Sequence, residues 1–315
     1  MGALRKIRRR GAALMLSLWA LFLLSAMVIS WALDIDARLA LAGRAQRLLE
    51  AEALACSGVE VAMHPTVEPD SPGLVGGFGR DQRYEARITG EGGRLNINWL
   101  VVGENPVRLE ILRKYLEFKG IDLNERDRMI DTLLDWVDPD NDVHLNGAEN
   151  EPGYRPPNRP LRRLEELKQI KGWAEFTSAS DWDADLTLDS QSGGQQPGQP
   201  PGGQQGGGGI NLAWASKNVI MALPGMSEDR VDQFLALRSG PDEIDGTQDD
   251  GFNSITEAEG ILGSPPGQLA AIGVILQKQD QVQRVVSVGK SGNVTRTVRV
   301  IFAKGSNQLK SWKEF

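Results

Sequence analysis

The sequence predicts an α+β chain: a long N-terminal transmembrane and amphipathic helix packed on a small antiparallel sheet, with a large α-helical region inserted between the strands. Three observations predict it. Ala12 to Leu33 runs for 22 residues without a charge. Period-two strand patterns stand on both sides of the middle of the chain, and the middle is punctuated by helix caps and stops.

The apolar run comes first. At helical rise its length is about 33 Å, enough to cross the hydrocarbon layer. Arg5, Lys6, Arg8, Arg9 and Arg10 precede Gly11 and favour a cytoplasmic N-terminus, which leaves the remaining 282 residues outside. Three readings compete: a secretory signal ending at Ser30-Trp31-Ala32, an uncleaved anchor, and a cut at Gly11. A cut at Gly11, on the cytoplasmic edge of the run, would keep the helix.

The composition, 40% hydrophobic and 24% charged, is that of a folded chain rather than a disordered one. The net charge of −7 becomes −12 without the five basic residues before Gly11. So acidic an exported part disfavours nucleic acid and suits hard cations. Cys56 is the single cysteine, which excludes an intramolecular disulfide.

Helical signal continues over 34–63, where Ile35, Leu39, Ala42, Leu49, Ala53 and Cys56 fall on one face; Pro65 ends it. In 64–103, Gln82 to Ile88 and Leu95 to Leu100 read as strands of a hairpin about Gly90 to Gly93. A first helical insertion, 104–189, opens at the cap Asn105-Pro106 and stops at Gly120; Asn124 starts a second helix and Leu161 a third. The Gly, Gln and Pro composition of 190–209 reads as a tether. A second insertion, 210–280, reads as a helix-hairpin-helix: a helix through Ala222, the turn Leu223-Pro224-Gly225-Met226, and a helix capped by Ser227. In 281–315, Val282 to Val288 and Val294 to Phe302 alternate about a turn at Gly289 to Asn293, so the sequon Asn293-Val294-Thr295 reads as that turn.

Oxygen ligands crowd between Asp135 and Glu149. Counted from Asp138, the residues Asp140, Asp142 and Glu149 stand at positions 3, 5 and 12 of a twelve-residue calcium loop, but Val143 replaces the glycine of position 6. That argues against a true EF-hand and leaves a divergent calcium loop or a solvated acidic loop that caps helices, since carboxylates at this spacing repel one another unless a cation or full solvation neutralises them. A second acidic stretch, Asp242 to Asp250, reads as a surface loop. His64 lies beside Pro65 at the end of the helix, His144 reads as a bystander in the acidic loop, and no nucleophile or phosphate motif points to an enzyme. The helix-hairpin-helix balances Lys217, Arg230 and Arg238 against Glu228, Asp229 and Asp232, without the positive surplus that phosphate binding needs.

Taken in order, these parts resemble the protein K minor pseudopilins of type II secretion. The resemblance rests on Arg8-Arg9-Arg10-Gly11-Ala12-Ala13-Leu14, on Gly93-Arg94-Leu95-Asn96-Ile97-Asn98, and on Leu134-Asp135-Trp136-Val137-Asp138. Asn146-Gly147-Ala148-Glu149, Asn158-Arg159-Pro160-Leu161, Glu165-Glu166-Leu167 and Ile210-Asn211-Leu212 with its hairpin reinforce it. It implies the pseudopilin fold with a SAM-like insertion, in a single-pass protein of the bacterial inner membrane with its bulk in the periplasm. It implies cleavage by a prepilin peptidase between Gly11 and Ala12. Position five of the mature chain, commonly glutamate in pseudopilins, is here Leu16. A subunit leading a filament has no neighbour ahead whose amine needs a carboxylate. The family thus implies a non-catalytic tip subunit that joins the I and J minor pseudopilins, primes assembly on the inner-membrane secretion platform and contacts secreted cargo. It also implies calcium, at Asp138, Asp140, Asp142 and Glu149. The tether of 190–209 departs from the family pattern in its length. A type IV pilus minor pilin and a membrane-anchored DNA-uptake protein are the rival readings.

Overall fold

A computed structural model describes residues 3–149, 151–179, 181–190, 209–306 and 308–315, with side chains from Ala12 onward. The expected tether lies outside these residues but for its ends. Helix α1 (Ala3–Ala62) is continuous, and its segment Ala12–Ala62 is long and apolar enough to cross a membrane. Strand β1 (Val75–Phe78) follows, then β2 (Gln82–Gly90).

The first helical block begins with β3 (Leu95–Asn96), α2 (Ile97–Val101), α3 (Pro106–Phe118) and α4 (Leu123–Val137). A 3-10 helix at Leu164–Gln169 and β4 (Leu186–Thr187) complete it. The second block holds β5 (Ile210–Asn211), α5 (Lys217–Met221), α6 (Glu228–Arg238), α7 (Ile255–Leu262), α8 (Gln268–Ala271) and β6 (Val274–Ile275). Strands β7 (Val282–Ser291), β8 (Val294–Ala303) and β9 (Gln308–Glu314) close the chain.

One antiparallel sheet, ordered β1-β2-β7-β8-β9, takes strands from both ends of the sequence. Gly90 at the end of β2 pairs with Gln283 at the start of β7, so the chain leaves and rejoins the sheet on neighbouring strands. Among the described residues every α-helix beyond α1 lies between those two points.

Helix α1 covers one face of the sheet, and the stripe it buries shares only the half-buried Cys56 with the expected one. Leu39 and Leu49 are 65% and 69% exposed, whereas Ala51, Leu54, Ala55, Val59 and Ala62 are buried. The reason is close approach. A Cβ on Gly289 of β7 would collide with the helix backbone at Ala51 and Ala55, and one on Gly58 would strike Ser287 and Tyr84. Small residues let the helix lie flat on the strands, so size-weighted hydrophobicity picks out the wrong stripe.

The expected hairpin between Gln82–Ile88 and Leu95–Leu100 does not form. Strand β2 pairs with β1 and β7, while β3 pairs in parallel with β4 through Leu95 and Leu186. After two residues Asn96 caps a helix, its side chain accepting from the Trp99 amide at 3.2 Å, and Ile97, Leu100 and Val101 turn into the helical core. The cap at Asn105 is as expected, accepting from Val107 and Arg108 at 3.0 and 3.2 Å. Helix α4 starts one residue earlier than expected, with Asp122 as its cap. The third helix is a 3-10 turn three residues in from Leu161. The β7–β8 turn is tighter than expected, since Ser291 pairs with Val294 across Gly292 at φ 57° and Asn293.

Where the helical blocks meet the sheet, Glu91 is fully buried. Arg284 Nε and Nη2 each donate to its carboxylate at 2.7 Å, Arg94 adds a contact at 3.3 Å, and Thr187 donates its hydroxyl. Burial opposes the charge, but the two guanidiniums outweigh it and hold the Glu91 carboxyl below the usual carboxylate range. Asp280 ties the same corner together, accepting from the Gly92 amide at 2.7 Å.

Candidate functional site

The acidic loop is built around the end of α4. Asp135, on the last turn, is fully buried, because the loop that follows folds back onto its carboxylate. Oδ1 accepts from the His144 amide at 3.0 Å and lies 2.5 Å from His144 Nδ1, while Oδ2 accepts from the Ala148 amide at 2.5 Å. Gly147 must be a glycine here, since a Cβ would collide with that carboxylate. One turn earlier, Asp131 Oδ2 accepts both the amide and the side chain of Asn146 at 2.9 Å. Two aspartates of the helix thus hold the returning loop.

That scaffold gathers carboxylates from three parts of the chain. Asp138 follows α4 directly, with its side chain 10% exposed and 3.8 Å from His144 Nδ1. Its Oδ1 is buried without a hydrogen-bond partner among the described residues. Burial, and then the negative charges of Asp140 and Asp135, push its carboxyl up to about 6. Glu149 is also buried, and its carboxyl is raised first by that burial and then by Asp138, Asp135, Asp140 and Asp142. Glu104 enters from the turn before α3, its Oε2 3.5 Å from His144 Nε2. One ligand atom from each of Glu104, Asp138 and His144 lies within 4.8 Å of the others.

Of the four residues singled out in the sequence, Asp138 and Glu149 are therefore buried at the centre. Asp140 and Asp142 are exposed on the loop, where Asp140 Oδ1 accepts from the Asp142 amide at 2.9 Å. The sequence did not point to Glu104, which lies outside the acidic run and has left-handed backbone at φ 49° after Gly103. His144, expected to be a bystander, bridges Asp135 and Glu104. Buried oxygens in mutual repulsion, one of them unpartnered, make an arrangement that a hard divalent cation would relieve.

The second acidic stretch is spent internally. Asp245 pairs with Arg238 at 2.8 Å, and Asp250 accepts from the Gly246 and Thr247 amides at 2.9 and 3.3 Å. In the α5–α6 hairpin, Gly225 makes the turn at φ 77°, and Ser227 stands at the cap position without a side-chain bond. Lys217 is held between Glu228 and Asp232, and Arg238 donates to the carbonyls of Leu212 and Ala215. At the other end of the molecule Gly11 and Ala12 lie inside α1, and Leu16 is 72% exposed on its apolar surface.

Residues 93–179 match the family described as Type II secretion system (T2SS), protein K, a segment that contains the whole acidic loop. No curated protein matches the sequence. The fold is similar to a chain in the crystal structure of the GspK-GspI-GspJ complex from enterotoxigenic Escherichia coli Type 2 Secretion System. The TM-score is 0.52 at 13% identity, over 90% of this chain and 96% of that one.

Proposed function

We propose that this chain, whose residues 93–179 match the type II secretion system protein K family, is a member of that family with a structural and non-catalytic role at the tip of the secretion pseudopilus. In this reading prepilin peptidase cuts between Gly11 and Ala12, the N-terminus faces the cytoplasm, and the helix stays in the inner membrane with the rest of the chain in the periplasm. The basic cluster before the apolar run supports that orientation. Leu16 supports the leading position: a carboxylate there would be an unpaired charge in lipid, and leucine avoids it. The partners are the I and J minor pseudopilins, with which the protein primes assembly on the membrane platform and through which it meets secreted cargo. The family match over residues 93–179 is the observation that carries this reading.

Calcium is part of the proposal. The residues fit it: Asp138 and Glu149 supply buried carboxylates, Glu104 adds one from the neighbouring turn, and Asp140 and Asp142 stand at the rim. The ion's chemistry would be charge neutralisation, joining the acidic loop to the turn before α3. Nucleic acid has less support, because Lys217 and Arg238 of the hairpin are already engaged by carboxylates and carbonyls.

The test is co-expression of the full chain with the I and J pseudopilins of the same cell, followed by extraction in detergent and purification on a tag carried by this chain. A ternary complex is expected, with Ala12 as the first residue by mass spectrometry. Recovery of this chain without I and J, or retention of full secretion by Gly11→Val cells that leave it uncut, would overturn the proposal.

A further inference from the structure

Period two along β7 and β8 turns Val285 and Val300 toward α1 and sends Arg284, Arg299 and Ile301 to the opposite face. There they line a pocket of about 470 Å3, closed by the 3-10 turn at Leu164–Gln169, the stretch 183–189 and strand β9. The volume falls in the range of pockets that hold small ligands or a few side chains.

Its charge runs against that of the chain. Six cations, Arg162, Arg163, Arg284, Arg299, Lys310 and Lys313, face three carboxylates, Glu165, Asp183 and Asp189. Yet the whole sequence carries −7. Three of the cations are committed: Arg284 to Glu91, Arg299 to Asp183 at 2.5 Å, and Lys313 to Glu165. Lys310 forms no ion pair among the described residues, and with Arg284 and Lys313 it attracts Asp189 at longer range. Arg162 and Arg163 are exposed, and among the described residues neither forms an ion pair. The segment 191–208, which enters the chain just after Asp189, contains no acidic residue that could serve them.

The rest of the lining is not that of a simple anion site. Leu164, Leu188, Ile301 and Trp312 give it apolar walls. Four consecutive residues of β9, 310 to 313, reach it, so the pocket wraps the strand's edge rather than one face. Strand β9 is the last in the sheet, and among the described residues no strand pairs with its outer edge. Guanidiniums for carboxylates, apolar walls for a side chain and a free strand edge for backbone are together what an extended acidic peptide would use.

We propose that this pocket binds an acidic peptide segment of a protein partner, with carboxylates on Arg162, Arg163 and Lys310 and an apolar side chain against Trp312. The site is separate from the acidic loop and does not depend on the assembly role. The test uses the full chain in detergent at low salt and a fluorescein-labelled heptapeptide of alternating glutamate and leucine, followed by anisotropy. The glutamate peptide is expected to bind at least tenfold more tightly than its glutamine counterpart. The double variant Arg162→Glu/Arg163→Glu, and separately Lys310→Glu, should weaken it at least tenfold with unchanged thermal unfolding, while Arg80→Glu at the far end of the sheet should not. Equal binding of the glutamine peptide, no binding by the parent chain, or full retention by the variants would overturn the proposal. So would displacement by equimolar inorganic phosphate or a preference for duplex DNA, since either would make the pocket a general anion site.

Discussion

Replacing Asp138 by asparagine is expected to stabilise the protein without calcium and to cost it stability with calcium. In the metal-free chain the Asp138 carboxyl sits at about 6 against 3.8 for an ordinary aspartate, through burial first and then the charges of Asp140, Asp135 and Glu104, with His144 opposing them. Because the folded state binds this proton more tightly than the unfolded one, the charge destabilises the fold fully above pH 6. The penalty is relieved as pH falls from 6 toward 3.8. At about 1.36 kcal/mol per pH unit that gap amounts to about 3 kcal/mol at pH 7. The asparagine variant, freed of metal on a chelating resin, should therefore exceed the parent by up to about 3 kcal/mol at pH 7, with the advantage gone near pH 4. Calcium at a hundred times its dissociation constant should add about 3 kcal/mol to the parent and little to the variant. Urea unfolding followed by tryptophan fluorescence, at several pH values with and without calcium, measures all four quantities. A variant less stable than the parent without metal at pH 7, or a parent whose metal-free stability ignores pH between 4 and 7, would show the reasoning to be wrong.

Two further predictions concern the frame that holds the site. Glu91→Gln leaves the Arg284 guanidinium, 5% exposed, without its counter-charge, and should cost about 3–5 kcal/mol in urea unfolding. The double change Glu91→Leu/Arg284→Met should recover most of that, and a loss under about 1 kcal/mol for the single variant would mean the pair does not brace the corner. Gly289→Val drives a side chain into the α1 backbone and should lower stability by at least about 3 kcal/mol, read as the thermal midpoint in detergent; an unchanged midpoint would contradict the close helix–sheet contact.

What could be read without coordinates was what depends on neighbours in sequence. The charge-free run from Ala12, the cap at Asn105-Pro106 and the alternation of Val298, Val300 and Phe302 are local signals, and the structure carries each of them as α1, α3 and β8. The failures came where a distant partner decides. Arg94 to Asn98 alternates like a strand, but Leu186 grants it only two paired residues before Asn96 caps α2. The buried stripe of α1 is set by glycine and alanine meeting β7, a contact that hydrophobic periodicity does not score. Strand β1, with Gly76 and Gly77 at its centre between Val75 and Phe78, carries a weak strand signal and exists by pairing with β2. At the acidic loop the run from Asp135 to Glu149 was plain, whereas Glu104 reaches it only through the packing of α2, α3 and α4. Asp135 proved to be the loop's internal anchor, since its carboxylate is filled by amides and His144.

The exit at Gly90 and the re-entry at Gln283 sit face to face across one pair of strands. A detour that starts and ends at the same doorway imposes no separation on the strands beside it, so its length and content are free to drift while the rod-and-sheet chassis keeps its shape. The long Gly/Gln-rich stretch between the two blocks is one such liberty. The Glu91–Arg284 latch at the threshold, with Arg299–Asp183 and Lys313–Glu165 beyond it, belongs to both parts, and a graft of a foreign helical head onto this stem would have to carry those pairs across together.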